Sequence, residues 1–152
     1  MCIRDRDVTG SVVSGYTPVT GTDRVKYSFN FQLADDNTSD PIMSMSIYFR
    51  INGGSWIEVV SSREERRSKL VKYAVIWTFV LGATTANHDD GVLTETNPTL
   101  DFKVVAEEYG STYQVKLHQT NHWLQTHSDE FSMPTISITA IGTKSLEYKR
   151  TA

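Results

Sequence analysis

The chain has 152 residues, a formal net charge of −3 and 39% hydrophobic residues. This length is typical of one domain, and a domain of about 150 residues buries roughly 70% of its unfolded surface, enough for a hydrophobic core. The mildly acidic balance lacks the basic footprint of a nucleic-acid-binding protein. No apolar run approaches the roughly 20 residues that a membrane-spanning helix needs, so neither nucleic-acid binding nor membrane insertion is predicted.

The first six residues, Met1–Arg6, read as the translation of a sequencing adapter, and we expect them to be an artefact of metagenomic sequencing. The native chain is then expected to extend further upstream. Cys2 is the only cysteine, so the remaining chain offers neither a disulfide framework nor a cysteine-ligated metal. We predict a single β-sandwich domain over 7–142 and a C-terminal tail over 143–152.

Apolar residues at every second position predict β-strands along most of the chain. After a short strand at Val12–Val13, the first half carries strands over Val25–Leu33, Ile42–Ile51, Ser55–Val60 and Lys69–Leu81. Asn52-Gly53-Gly54 is a hairpin signal because these residues tolerate a positive φ. The charged run Arg63–Lys69 is predicted to be a solvated connection with at most one helical turn.

A long polar loop, Gly82–Pro98, opens the second half of the chain. Further strands are predicted over Leu100–Ala106, Tyr113–Leu117 and Pro134–Ala140. Seven or eight strands separated by turns, with no long helix, predict an all-β fold. The expected architecture is an antiparallel two-sheet sandwich of jelly-roll type.

The strand Lys69–Leu81 differs from the others because both of its faces are apolar. One face carries Val71, Tyr73, Val75, Trp77, Phe79 and Leu81. The other face carries Leu70, Ala74, Ile76 and Val80. A strand that is apolar on both faces is buried on both faces. The second face therefore needs a cover, either a long loop or a neighbouring subunit, and its four residues form a candidate subunit interface.

No catalytic constellation is visible, and we predict a protein that is not an enzyme and binds no cofactor. His118 and His122 would lie roughly 13 Å apart along a strand, too far to share a metal ion. Surface histidines and no metal site are therefore expected. His122 and Trp123 mark a candidate ligand-contacting loop, in which the indole either stacks on a sugar ring or anchors the loop.

Three groups of residues carry a family resemblance. Tyr16–Phe31 (YTPVTGTDRVKYSFNF) is followed by the hairpin Ile47–Ser55 (IYFRINGGS), and the later segments are Phe102–His118, Trp123 and Pro134–Gly142. This pattern resembles structural proteins of marine tailed phages, which are similar to the jelly-roll heads of the complement and tumour-necrosis-factor class. Such heads typically trimerise.

The resemblance implies a non-enzymatic virion domain, such as a fibre, tail or head decoration. It implies a homo-oligomer, with a trimer favoured, and contacts with other virion proteins and with a host-surface glycan. Its motifs concern packing and turns, so no functional residue carries over. The alternatives are a carbohydrate-binding module of a secreted or surface protein and, third, a fragment of a secreted glycosidase.

Overall fold

The computed structural model describes residues 6–35, 42–67, 70–110, 115–120 and 130–142. In these ranges the chain forms eleven β-strands and one short 3-10 turn, His88–Asp90. The strands are β1 (Arg6–Asp7), β2 (Val13–Tyr16), β3 (Arg24–Asp35), β4 (Ile42–Ile51), β5 (Ile57–Arg67), β6 (Leu70–Val80), β7 (Leu100–Glu108), β8 (Val115–Leu117), β9 (Gln119–Thr120), β10 (Glu130–Phe131) and β11 (Thr135–Ile141). The predicted all-β class is confirmed.

Two main antiparallel sheets build the molecule. Sheet A has the order β1-β7-β4-β5, and β2 also pairs with β7. Sheet B has the order β11-β3-β6, and β8 also pairs with β3. The short strands β9 and β10 pair with each other. The predicted antiparallel sandwich is confirmed. β1 and β5 lie at the two ends of the sheet A path, and β11 and β6 lie at the two ends of the sheet B path.

The core lies between the two sheets and is rich in aromatic rings. Phe79 of sheet B lies 4.9 Å from Phe102 and 5.3 Å from Phe49 of sheet A, measured between ring centroids. Tyr27 is also fully buried, and its hydroxyl donates a 2.6 Å hydrogen bond to the Ser11 carbonyl. Burial raises the pKa of Tyr27 well above its usual value despite that bond. These contacts hold the two sheets together and settle which face of each strand is inside.

The hairpin between β4 and β5 forms where the sequence predicts it. Asn52 and Gly53 have φ angles of 49° and 73°, in the left-handed region that glycine and asparagine tolerate best. The Gly54 N–H closes the turn on the Ile51 carbonyl at 2.9 Å. β5 then returns along β4, with Val59 directly opposite Ile47.

The charged run from Arg63 was predicted to be a connection, and this prediction is wrong up to Arg67. These residues continue β5, with Glu64 opposite Met45. The run carries no apolar alternation because it forms the edge of a sheet, where charged side chains are common. The sequence pattern of such an edge is therefore the same as that of a solvated loop.

A wide bulge interrupts the pairing of β5 with β4. The four residues 60–63 of β5 lie opposite the single residue Ser46 of β4. The Ser62 hydroxyl accepts a 2.8 Å hydrogen bond from the Ile47 N–H and donates a 2.7 Å bond to the Val59 carbonyl. A buried serine therefore satisfies the backbone groups that the bulge removes from the ladder.

The polar stretch Gly82–Pro98 forms a long loop, as predicted, with isolated bridges and the 3-10 turn as its only regular structure. Leu93 is fully buried and fixes the loop to the core. Gly91 has a φ of 70°, and a Cβ atom there would lie 2.8 Å from the Trp77 indole nitrogen. Among the described residues, no helix has the length and apolar character that crossing a membrane requires.

Candidate functional site

The predicted subunit interface lies on the outer face of β6, which points away from the core. Ala74 is exposed, Ile76 is 48% exposed and Val80 is half-buried. Leu70 begins the strand, and its side chain lies outside the described residues. We call the side chains of Lys72, Ala74, Ile76, Thr78 and Val80 the β6 outer face.

The long loop bonds to β6 at one end of the strand. The Val80 N–H donates to the Gly91 carbonyl at 3.0 Å, and the Leu93 N–H donates to the Val80 carbonyl at 2.8 Å. Ile76, four residues earlier, stays exposed to solvent within the described part of the chain. The sequence allows two covers for the β6 outer face, a long loop or a neighbouring subunit. The loop Gly82–Pro98 does not reach the centre of this face.

The second feature of β6 is its edge. The Leu81 N–H donates to the Asp23 carbonyl beside β3, whereas the backbone groups of Val80 bond to the loop on the opposite side. Along an antiparallel strand, the backbone N–H and carbonyl groups of successive residues point to opposite sides. Every even-numbered residue of β6 therefore directs these groups away from β3. Between Leu70 and Thr78, no strand in the described ranges pairs with these groups. We call these backbone groups the β6 edge.

The edge strand of sheet A, β5, is different. Its end carries the pairs Arg66–Glu64 at 2.7 Å and Arg67–Glu65 at 3.1 Å, both exposed. The 3-10 turn packs beside it, where the Ser61 hydroxyl donates to the Asp90 carboxylate. Charges, a bulge and a neighbouring turn therefore occupy the β5 edge.

The outer face of sheet A carries a buried ion pair that the sequence pattern did not reveal. Asp101 of β7 is buried and accepts hydrogen bonds from the Arg50 guanidinium and, at 2.5 Å, from the Gly15 N–H. Burial, the largest single effect, raises the pKa of Asp101, but the bonds from Gly15 and Arg50 outweigh it and lower the pKa below its usual value. The pair ties β2 and β4 to β7.

Trp56 beside this pair is occupied by two cations. The Arg50 guanidinium carbon lies 4.8 Å from the centroid of the indole ring, and the Lys103 ammonium lies 4.5 Å from it. Lys103 also forms a 2.8 Å salt bridge with Asp7 of β1. Cation–π contacts of this kind fix the indole in place, so Trp56 is not positioned as an open stacking platform.

A polar depression of about 280 Å³ lies next to Tyr48 on the same face. Glu58 and Arg63 line it and form a two-pronged salt bridge, with nitrogen–oxygen distances of 2.7 and 2.8 Å. The hydrogen bond from Arg63 lowers the pKa of the Glu58 carboxyl below its usual value. Ser44, Ser46 and Glu107 complete the polar lining. Hydroxyl, carboxylate and guanidinium groups together can hydrogen-bond a polyhydroxylated ligand.

His118 was predicted to lie at the surface, and the structure places it inside. It is 3% exposed, has a φ of 61°, and its Nε2 atom donates to the Thr9 carbonyl at 2.7 Å. Its ring also meets Phe31 edge-on. The polar sequence around His118 did not reveal its burial, because the residues that surround it, Thr9 and Phe31, are distant in sequence.

The remaining points of chemistry concern metals, the neighbouring carboxylates of β7 and the aromatic loop. In the described ranges, no three histidine, cysteine, aspartate or glutamate side chains lie close enough to hold a metal ion. Glu107 is exposed and Glu108 is buried on the opposite face of β7, so this carboxylate pair does not converge. The candidate ligand-contacting residues His122 and Trp123 lie outside the described residues.

Comparison with known proteins adds no relative: the chain matches no family model, no curated protein and no solved structure. A functional interpretation therefore starts from the two surfaces described above. These are the outer face and edge of β6 in sheet B, and the polar depression in sheet A.

Proposed function

We propose that this chain is a non-enzymatic structural domain of a phage virion, part of a fibre, tail or head decoration, and that it works as a homo-oligomer. The resemblance of its strand motifs to phage structural proteins supports the virion context. The single observation that carries the proposal is the exposure of Ile76 on a strand whose other face is core. A second subunit would cover it.

The energetic argument concerns one side chain in each copy. Because Ile76 is 48% exposed, covering it gains at most roughly half of the about 1.5–3 kcal/mol that full burial of an isoleucine contributes, and a symmetric contact gains this from both copies. Ala74 and Thr78 flank Ile76 on the outer face of β6 and add small side chains that allow close approach. The β6 outer face therefore suits a subunit contact better than the charged end of β5.

Sedimentation of the full chain tests self-association. The wild-type chain is expected to form a concentration-dependent oligomer, and Ile76→Lys is expected to shift it to monomer without loss of strand content. Val60→Lys is the matched control, because Val60 is 37% exposed on a strand of the other sheet. A wild-type chain that remains monomeric at every concentration would contradict the proposal.

The virion context has its own test. The gene that encodes this chain is expected to lie among phage structural genes. A neighbourhood of polysaccharide-degrading or secretion genes would instead favour the carbohydrate-binding alternative.

A second candidate function is carbohydrate binding, and the polar depression near Glu58 and Arg63 favours it. A glycan array on the wild-type chain should then show saturable binding that Arg63→Ala removes. Arg67→Ala is the control because Arg67 lies outside the residues that line the depression. If binding is lost with Trp123→Ala instead, the predicted aromatic loop and not the depression is the glycan site.

A further inference from the structure

We propose that β6 pairs edge to edge with β6 of a second copy of this chain. The two strands run antiparallel about a two-fold axis through Ala74 and join the two copies of sheet B into one continuous sheet. This inference rests on the proposed self-association and specifies its geometry. It predicts a two-fold contact, whereas the family resemblance alone favours a trimer.

The backbone supplies the first argument. Lys72, Ala74, Ile76 and Thr78 direct their N–H and carbonyl groups away from β3, and β6 ends the path of sheet B in the described ranges. A row of such groups is a template for another extended strand. No proline interrupts β6, so every residue of the row keeps its donor.

The register follows from the length of the usable row. The groups of Val80 are already bonded to the loop, so the row runs from Leu70, where the strand begins, to Thr78. An antiparallel two-fold that uses the whole row must pass through its middle residue, Ala74. Leu70 then pairs with Thr78, Lys72 pairs with Ile76, and Ala74 faces itself. Five pairs that each exchange two bonds give about ten inter-subunit hydrogen bonds.

The side chains agree with this register. Lys72, the only charged residue in β6, meets Ile76 of the other copy rather than a second lysine, so no like charges face each other. On the inner side, Tyr73 comes opposite Val75, an aromatic with a β-branched residue, which is a favourable cross-strand pair. Tyr73 is half-buried at the open side of β6 and would gain cover there.

A second copy fits this edge because a two-fold contact must be self-complementary. β6 provides a partner of equal length, with a single charge and with small or apolar side chains on its outer face. Its exposed Ala74 and Ile76 would form one apolar stripe across the axis, in which the aliphatic stem of Lys72 from the other copy packs beside Ile76 and covers it from one side. The β5 edge offers none of these properties, because charges and a bulge interrupt it.

Cysteine cross-linking tests the register in the full chain, with Cys2→Ser as background. Ala74→Cys is expected to form a disulfide-linked dimer, because facing Cα atoms in a hydrogen-bonded pair lie about 5.5 Å apart. Thr78→Cys is the matched control, because its copies would lie roughly 26 Å apart along the strands. A second variant, Lys72→Cys with Ile76→Cys, should also link two copies, since the two sites within one chain are roughly 13 Å apart and cannot bridge.

The outcomes separate the pairing from the proposed function. Cross-linking at position 74 and in the double variant, with no reaction at position 78, supports the pairing. An oligomer that cross-links at neither site, or a trimer by sedimentation, overturns the pairing and leaves the proposed self-association intact. A chain that is monomeric at every concentration overturns both.

Discussion

The strands β5 and β6, each an edge strand of its own sheet, have equal length and opposite character. Each has eleven residues. β5 ends in Arg63–Arg67 and is interrupted by a bulge. The 3-10 turn lies beside both strands, because its Asp90 carbonyl also accepts a 3.2 Å hydrogen bond from the Trp77 indole of β6. β6 carries one charge and exposes Ile76. Proteins usually block an open edge with charges and bulges, so β5 has the features of a protected edge and β6 lacks them.

The charges of β5 contribute little to the stability of the fold. Its pairs Arg66–Glu64 and Arg67–Glu65 are exposed on both members, and exposed pairs typically contribute between about 0 and 1 kcal/mol. Their effect is to make pairing with another strand unfavourable. Stability instead comes from the core and from the few buried polar contacts. The following predictions test this division, from the largest effect to the smallest.

Phe79→Ala tests the inner face of β6. Phe79 is fully buried between Phe49 and Phe102, so its removal leaves a cavity and should lower the free energy of unfolding by about 3–5 kcal/mol. Urea unfolding measures this loss. Ile76→Ala, on the opposite face of the same strand, should reduce self-association while changing monomer stability by less than about 1 kcal/mol. Equal losses of stability in the two variants would mean that the β6 outer face is already covered.

Asp101→Asn tests the buried ion pair of sheet A. The variant loses charge-assisted bonds to Arg50 and Gly15, which should lower the free energy of unfolding at neutral pH by about 2–3 kcal/mol. The assembly through β6 should persist at concentrations where the variant is folded. A chain that loses assembly while its fold stays intact would place the subunit contact on sheet A.

The same residue predicts a pH dependence. The pKa of Asp101 is lowered in the folded chain, so its contribution is present above the usual aspartate pKa and is lost as the pH falls through the lowered value. Urea unfolding between neutral and strongly acidic pH should therefore show a loss of stability in the wild type that is smaller in Asp101→Asn. Identical acid profiles would contradict the assignment.

Ser62→Ala tests the bulge that interrupts the β5 edge. The buried Ile47 N–H would lose its acceptor, which should lower the free energy of unfolding by about 1–2 kcal/mol. Ser44→Ala is the control, because Ser44 is exposed on the neighbouring strand β4 and should change stability by less than about 0.5 kcal/mol. Similar values for both serines would show that the bulge does not depend on Ser62.

Removing charges from β5 should change stability least. Arg66→Ala loses an exposed salt bridge and a cation–π contact with Tyr73 at 5.6 Å, a loss of about 0.5–1 kcal/mol. Arg67→Ala lacks the aromatic contact and should cost less. Both variants should self-associate more readily than the wild type in sedimentation, because the edge is less protected. A large loss of stability without added association would mean that these charges hold the fold together.

The fold was predictable from the sequence to the extent that burial alternates along a strand. Ile42–Ile51 was predicted with the bounds that the structure shows, because one of its faces is core and the other is polar. The end of β5 was not predictable, because an edge strand that meets water on most sides needs no alternation. His118 was predicted to lie at the surface because its burial does not depend on its neighbours in sequence. Its burial comes from distant contacts with Thr9 and Phe31, which no local pattern contains.

The candidate site was likewise predictable only in part. The apolar second face of β6 was visible as alternation, and Ala74 and Ile76 lie on it as predicted. The polar depression near Glu58 was not visible, because its lining comes from β4, β5 and β7. The free edge of β6 was not visible either, since strand order in a sheet depends on which strands pair and not on the composition of one strand.

Amide hydrogen exchange at two protein concentrations tests most directly whether β6 is an open edge that a second copy closes. The N–H groups of Lys72, Ala74, Ile76 and Thr78 are expected to exchange quickly in dilute solution and slowly in concentrated solution, while β5 shows no such change. Two results would contradict this. Slow exchange at every concentration would mean that the chain covers its own edge, and fast exchange at every concentration would mean that no partner strand binds there.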